Sequence, residues 1–112
     1  MPPVSLTIRD DGVLAVVLRG EIDYTNAGPV TEAVGQAVAR DRPAAIHVDL
    51  HEVTFLDSSG IGVLISAMKA AGGVGAQYRV LRPNPKVLSQ LEITGLTELF
   101  QVDAQRSTAA GG

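Results

Sequence analysis

The chain contains no cysteine. That removes disulfides, thiolate metal sites and thiol catalysis, and it fits a reducing cytoplasm. Aromatic residues are scarce, at 4%, so a core must be built from Val, Leu, Ile and Ala. Basic charge is scarce too. The net charge is −3, and the nine Lys and Arg are scattered without a run, which argues against nucleic acid as a general partner. No apolar stretch approaches the roughly 20 residues of a membrane span, so no membrane partner is expected. Met1-Pro2-Pro3 offers neither the basic nor the apolar region of a secretory leader. What is there is a 112-residue chain that is 46% apolar: enough for one domain with a real core, and too short for two.

Hydrophobic periodicity predicts an alternation of strands and helices. Residues 4–8 alternate apolar and polar as a short strand, and Asp10-Asp11-Gly12 signals a hairpin turn. Residues 13–19 form a second strand with Leu14, Val16 and Leu18 on one face, broken by Gly20-Glu21-Ile22-Asp23. Asn26 has the chemistry of a helix N-cap, with Pro29 in the first turn. Ala27, Val30, Val34, Ala37 and Val38 then repeat at helical spacing up to Arg40, and Pro43 closes the segment. Residues 45–50 are the next strand, and Val53-Thr54-Phe55-Leu56 leads out of it. A helix with Ile61, Leu64, Ile65 and Met68 on one stripe ends at Gly72-Gly73. A strand at 77–81 follows. Next comes a helix capped by Asn84-Pro85, with Val87, Leu88 and Leu91 inward and Gly95 as its stop. A last strand is expected at 99–102. The class is α/β: a mixed, mostly parallel sheet of about five strands packed by three or more helices. It forms a single domain over 1–112, with its core at about 4–102 and a flexible tail from 103.

The most informative segment is Phe55-Leu56-Asp57-Ser58-Ser59-Gly60-Ile61-Gly62, which follows a strand and opens an amphipathic helix. It puts two hydroxyls and an acid where a helix has unpaired N–H groups and the positive end of its dipole. Such a place suits a phosphate, either on a ligand or attached to a serine. Plain capping would account for one serine. It accounts less well for Gly60 and Gly62 in the first turn, where each glycine costs helix propensity by roughly 1 kcal/mol relative to Ala. Bare glycine backbone there allows close approach by another molecule.

Enzyme signatures do not fit. A dinucleotide loop would need a third glycine, and a phosphate-binding loop would need its lysine. A nucleophile elbow would need a glycine two residues before the serine. His47 and His51 read as a solvated strand face, with no triad and no metal set. No catalytic residue, cofactor or metal is expected. Glu21 and Asp23 by themselves read as a charged surface loop. In a sheet that is parallel at its centre, the loops after the second strand and after Leu56 open on one edge. Glu21, Asp23 and Asp57 would then surround Ser58 as an acidic surface that meets a partner.

Three motifs resemble the STAS domain, the fold of sulfate-transporter tails and anti-sigma factor antagonists. They are Gly20-Glu21-Ile22-Asp23, the run from Val53 to Leu64 containing Asp57-Ser58-Ser59-Gly60-Ile61-Gly62, and Leu91-Glu92-Ile93-Thr94-Gly95-Leu96. The chain looks most like the stand-alone bacterial antagonists, over roughly residues 4–102. The resemblance implies a protein switch. The unphosphorylated antagonist binds an anti-sigma factor, itself a serine kinase of the ATP-binding histidine-kinase-like fold, and frees its sigma factor. Phosphorylation of the serine after the motif's Asp, here Ser58 (with Ser59 the weaker candidate), releases the antagonist. A PP2C-type phosphatase restores it. The partner surface would comprise Glu21, Asp23, Asp57, Ser58, Ser59, Gly60, Ile61 and Gly62. Many relatives continue into a further C-terminal helix, whereas the residues here from Asp103 are few and rich in Ala, Gly, Ser and Thr. A different role that the same fold could serve is an unmodified scaffold or accessory subunit docking on a transporter ATPase or signalling complex. A nucleotide binder at the junction is a third.

Overall fold

A computed structural model describes residues 2–103. The elements are β1 (Val4–Ile8), β2 (Val13–Ile22), α1 (Ala27–Asp41), β3 (Ala45–Leu56), α2 (Ser58–Gly73), β4 (Gln77–Leu81) and α3 (Pro85–Ile93). They build a four-stranded sheet in the order β1-β2-β3-β4. β1 is antiparallel to β2, while β2, β3 and β4 run parallel.

Alternation along the strands decides which face is covered. Leu14, Val16 and Leu18 of β2, Ile46, Val48 and Leu50 of β3, and Tyr78 and Val80 of β4 are all buried. They pack in one cluster with Val30, Val34, Ala37 and Val38 of α1 and Val63, Leu64, Ala67 and Ala71 of α2. Both crossovers step the same way along the sheet, so right-handed connections put α1 and α2 side by side on that one face. Each fully buried Val, Leu or Ile contributes about 1.5–3 kcal/mol. Tyr78 adds a polar anchor: its hydroxyl donates to the Leu64 carbonyl at 2.7 Å. Burial pushes the Tyr78 phenol well above its ordinary pKa.

The other face is half-open and carries His47, Asp49 and Arg79. Ion pairs cross its border, Arg19–Glu52 at 3.3 Å and Arg82–Asp49 among them, and the His51 Nδ1 lies 3.1 Å from Asp49 Oδ1. Burial, then the neighbouring Arg79 guanidinium, holds His47 below its ordinary pKa.

The structure differs from the sequence expectations in four places. β2 does not break at Gly20 but runs on to Ile22. Gly20, at φ +71°, absorbs a register shift against β3 as a bulge instead. β3 likewise runs unbroken from Ala45 to Leu56 rather than stopping at 50, because its second half still pairs with the extended end of β2. Asn26 precedes α1 but makes no side-chain cap on it. Its amide is engaged instead within the loop, accepting from the Asp23 N–H at 2.9 Å and donating to the Glu21 carbonyl at 2.8 Å. The expected strand at 99–102 is absent, which leaves four strands rather than five among the described residues. There the chain curls through turns, Phe100 N–H donating to Leu96 O and Val102 N–H to Thr97 O. This drives Phe100 into the core, edge to face with Tyr78 at 6.0 Å between ring centroids. The segment's backbone contact with β4 shrinks to an isolated bridge of Asp103 with Leu81 and a bond from the Val80 N–H to the Phe100 carbonyl at 3.1 Å. Beyond Asp103, the expected flexible tail lies outside the described residues.

Candidate functional site

Strands β2 and β3 end in register, Ile22 beside Leu56. The loop into α1 and the start of α2 therefore emerge together at the carboxyl edge of the parallel sheet, the edge at which such sheets present their binding sites. The sequence expectation that Glu21, Asp23, Asp57 and Ser58 share one edge is met by this register.

Asp57 organises the junction. Its backbone is extended, as an N-cap requires, and Oδ1 accepts from the Gly60 N–H at 2.9 Å. Oδ2 accepts from the Tyr24 N–H across the junction at 3.3 Å. The Asp57 N–H donates to the Ile22 carbonyl at 3.4 Å, and its carbonyl accepts from the Ile61 N–H at 3.0 Å. One residue thus ties α2 to the end of β2 and to the β2–α1 loop. Asp57→Ala is expected to lower stability by about 1–2 kcal/mol, the cost of an N-cap plus one cross-loop bond. Chemical denaturation reads this directly. An unshifted midpoint would mean that the cap holds nothing.

Ser58 is the first residue of α2 and is exposed, whereas Ser59 is half-buried. Asp57 takes the Gly60 N–H, so the Ser58 and Ser59 N–H groups stand ahead of it at the dipole's positive end. Asp23 is half-buried. Its Oδ1 accepts from the Thr25 hydroxyl and from the Thr25 N–H at 2.9 Å. These bonds, the hydroxyl's first, hold its carboxyl below the ordinary range. Glu21 is exposed.

The two glycines serve different ends. Gly60 is buried, and a Cβ built on it would lie 2.3 Å from the Ile22 carbonyl oxygen and 2.9 Å from Leu56 Cδ2. The close approach read from the sequence therefore occurs at Gly60, but the approaching backbone is the chain's own β2. At Gly62 a Cβ would meet nothing within 4 Å. Sequence reasoning also missed what steadies β3 from behind. Asn84, the cap of α3, donates from Nδ2 to the Val53 carbonyl at 2.8 Å, and Gln90 Nε2 donates to the Leu56 carbonyl at 2.8 Å. Contacts of more than 30 residues' separation leave no local signal in the sequence.

The STAS domain profile matches residues 6–109. The chain belongs to the STAS domain family. Among its relatives, an anti-sigma F factor antagonist of Paenibacillus polymyxa is 32% identical over 91 residues, covering 81% of this chain and 78% of that protein. An anti-sigma-F factor antagonist of Mycobacterium tuberculosis is 30% identical over 100 residues, covering 88% and 80%. The crystal structure of an anti-sigma factor antagonist from Mycobacterium paratuberculosis superposes with a TM-score of 0.75 at 32% identity, covering 88% of this chain and 84% of that one. In this STAS domain the carboxyl edge of the sheet presents an exposed serine at a capped helix start beside an acidic loop. No helix among the described residues is long and apolar enough to cross a membrane.

Proposed function

We propose that this STAS domain is a partner-switching anti-sigma factor antagonist of the bacterial cytoplasm, a regulator rather than an enzyme. With Ser58 unmodified it binds an anti-sigma factor that is a serine kinase of the ATP-binding histidine-kinase-like fold, and so frees the sigma factor. Phosphorylation of Ser58 ends that contact, and a PP2C-type phosphatase restores it. Glu21, Asp23, Asp57, Ser58, Ser59, Gly60, Ile61 and Gly62 make up the contact region, Gly60 by shaping it from within.

The observation that carries this reading is the place of Ser58: exposed, first in its helix, one residue after the cap. A phosphate adds about −1.5 to −2 charges. At a helix N-terminus that charge is favourable by about 0.3–1 kcal/mol, so the fold tolerates it. Against a partner surface shaped for a neutral hydroxyl the same charge must be desolvated beside Asp57. The difference turns a local modification into an on/off contact. The lesser exposure of Ser59 favours Ser58 as acceptor.

Mass spectrometry of the protein isolated from its own host, in growth and under stress, tests this. The expected result is phosphate on Ser58 with an occupancy that differs between the two states. Absence of phosphate from both Ser58 and Ser59 in both states would overturn it and favour an unmodified scaffold or transporter accessory.

A further inference from the structure

The core of this aromatic-poor chain uses only half of its aromatic side chains. Of two tyrosines and two phenylalanines, Tyr78 and Phe100 are buried against each other. Tyr24 is 80% exposed and Phe55 38% exposed. Both are tied to the junction between β3 and α2. Tyr24 follows Asp23 and is held through its backbone N–H by Asp57. Phe55 is two residues before Asp57 and pairs in register with Glu21 on β2. Tyr24 from the β2–α1 loop and Phe55 from the end of β3 thus border the junction that carries Ser58.

We propose that Tyr24 and Phe55 are the apolar anchors of the contact Ser58 controls. The partner they fit is a protein surface with an apolar notch bordered by Lys or Arg. The inference rests on the partner-switch reading and adds the division of labour within it. Exposed aromatic rings bring large contact area at little entropic cost, and tyrosine is among the residues that dominate interface energetics. The rim supplies the charge argument. Glu21 pairs in register with Phe55, Asp23 precedes Tyr24 and Asp57 accepts from the Tyr24 N–H, while Lys86 Nζ stands 5.9 Å from the Phe55 ring centroid. An excess of carboxylates around the rings selects a basic border on the partner and disfavours an acidic one. Tyr24 and Phe55 then hold the partner, while the charge on Ser58 decides whether it can seat.

The test titrates the full chain against each ATP-binding anti-sigma factor kinase of the same host, purified individually. It compares wild type with Tyr24→Ala, Phe55→Ala and Tyr24→Phe. Where wild type binds, each alanine variant is expected to weaken binding about tenfold or more, with Tyr24→Phe close to wild type. Melting temperatures read alongside separate anchoring from folding. If Phe55→Ala melts lower because it loses its Lys86 contact, Tyr24→Ala decides. Binding within twofold of wild type by Tyr24→Ala would overturn the anchor assignment and leave the partner switch standing. Binding of none of the kinases by the wild type would overturn both.

Discussion

Gly60→Val is expected to cost about 3 kcal/mol of stability or more, at the upper end of what overpacking a well-filled site does. The reason is the identity of the neighbour. Even a single methyl at position 60 would stand 2.3 Å from the Ile22 carbonyl oxygen, and a backbone atom at the end of a paired strand cannot swing aside as a side chain can. Relief requires α2 to lift off β2. That would pull the Asp57 N–H from the Ile22 carbonyl and strain the Asp57 cap on the Gly60 N–H. In a domain of this size 1 kcal/mol moves the melting temperature by about 4–8 °C, so a fall of roughly 12–24 °C is expected. Gly62→Ala is the control two residues on. Its Cβ meets nothing within 4 Å, and exchanging a helical glycine for alanine stabilises by up to about 1 kcal/mol. Thermal unfolding of the two variants side by side checks the contrast. Equal melting temperatures would mean that the contact between α2 and the end of β2 gives way freely. A binding defect in Gly60→Val would then have to be read against its melting temperature before it said anything about a partner.

That glycine also marks where the sequence was legible and where it was not. Its presence in a first helical turn announces a close approach, but whether the approaching atom belongs to a partner or to a strand 38 residues earlier is a tertiary fact. The parallel order of β2, β3 and β4 follows from strands alternating with helices. The shared edge of Glu21, Asp23 and Ser58 follows in turn from that order. Gly20 illustrates the opposite error, since a glycine after an apolar run reads equally as a break or as a bulge. Only pairing with β3 decides for the bulge. Residues 99–102 have strand-like composition, yet Phe100 finds more to bury by turning inward onto Tyr78 than by extending along β4. Asn26 has the chemistry of a cap and uses it on the Asp23 N–H instead of on α1, a choice between two nearby backbone partners that spacing alone does not make.

Ser58→Asp is expected to separate binding from folding more sharply than any other substitution at this edge. The side chain is exposed at the head of α2, so the new carboxylate displaces no packing and meets the favourable end of the helix dipole. The neighbouring Asp57 offsets part of that gain, and the melting temperature should stay close to that of the wild type. For a partner docked over the same spot the balance reverses. A charge must be stripped of water against a surface that received a hydroxyl, with Asp57 beside it and no new cation in place. A loss of about 3 kcal/mol weakens affinity by more than a hundredfold. Ser58→Ala supplies the opposite arm, since it keeps the site neutral, should retain the partner and has no oxygen to accept phosphate. Titration of both variants against the anti-sigma factor kinase bound by the wild type, with melting curves on the same samples, reads the separation. Tight binding by a well-folded Ser58→Asp would show that charge at the head of α2 does not govern the contact, and the switch would have to lie elsewhere on the domain.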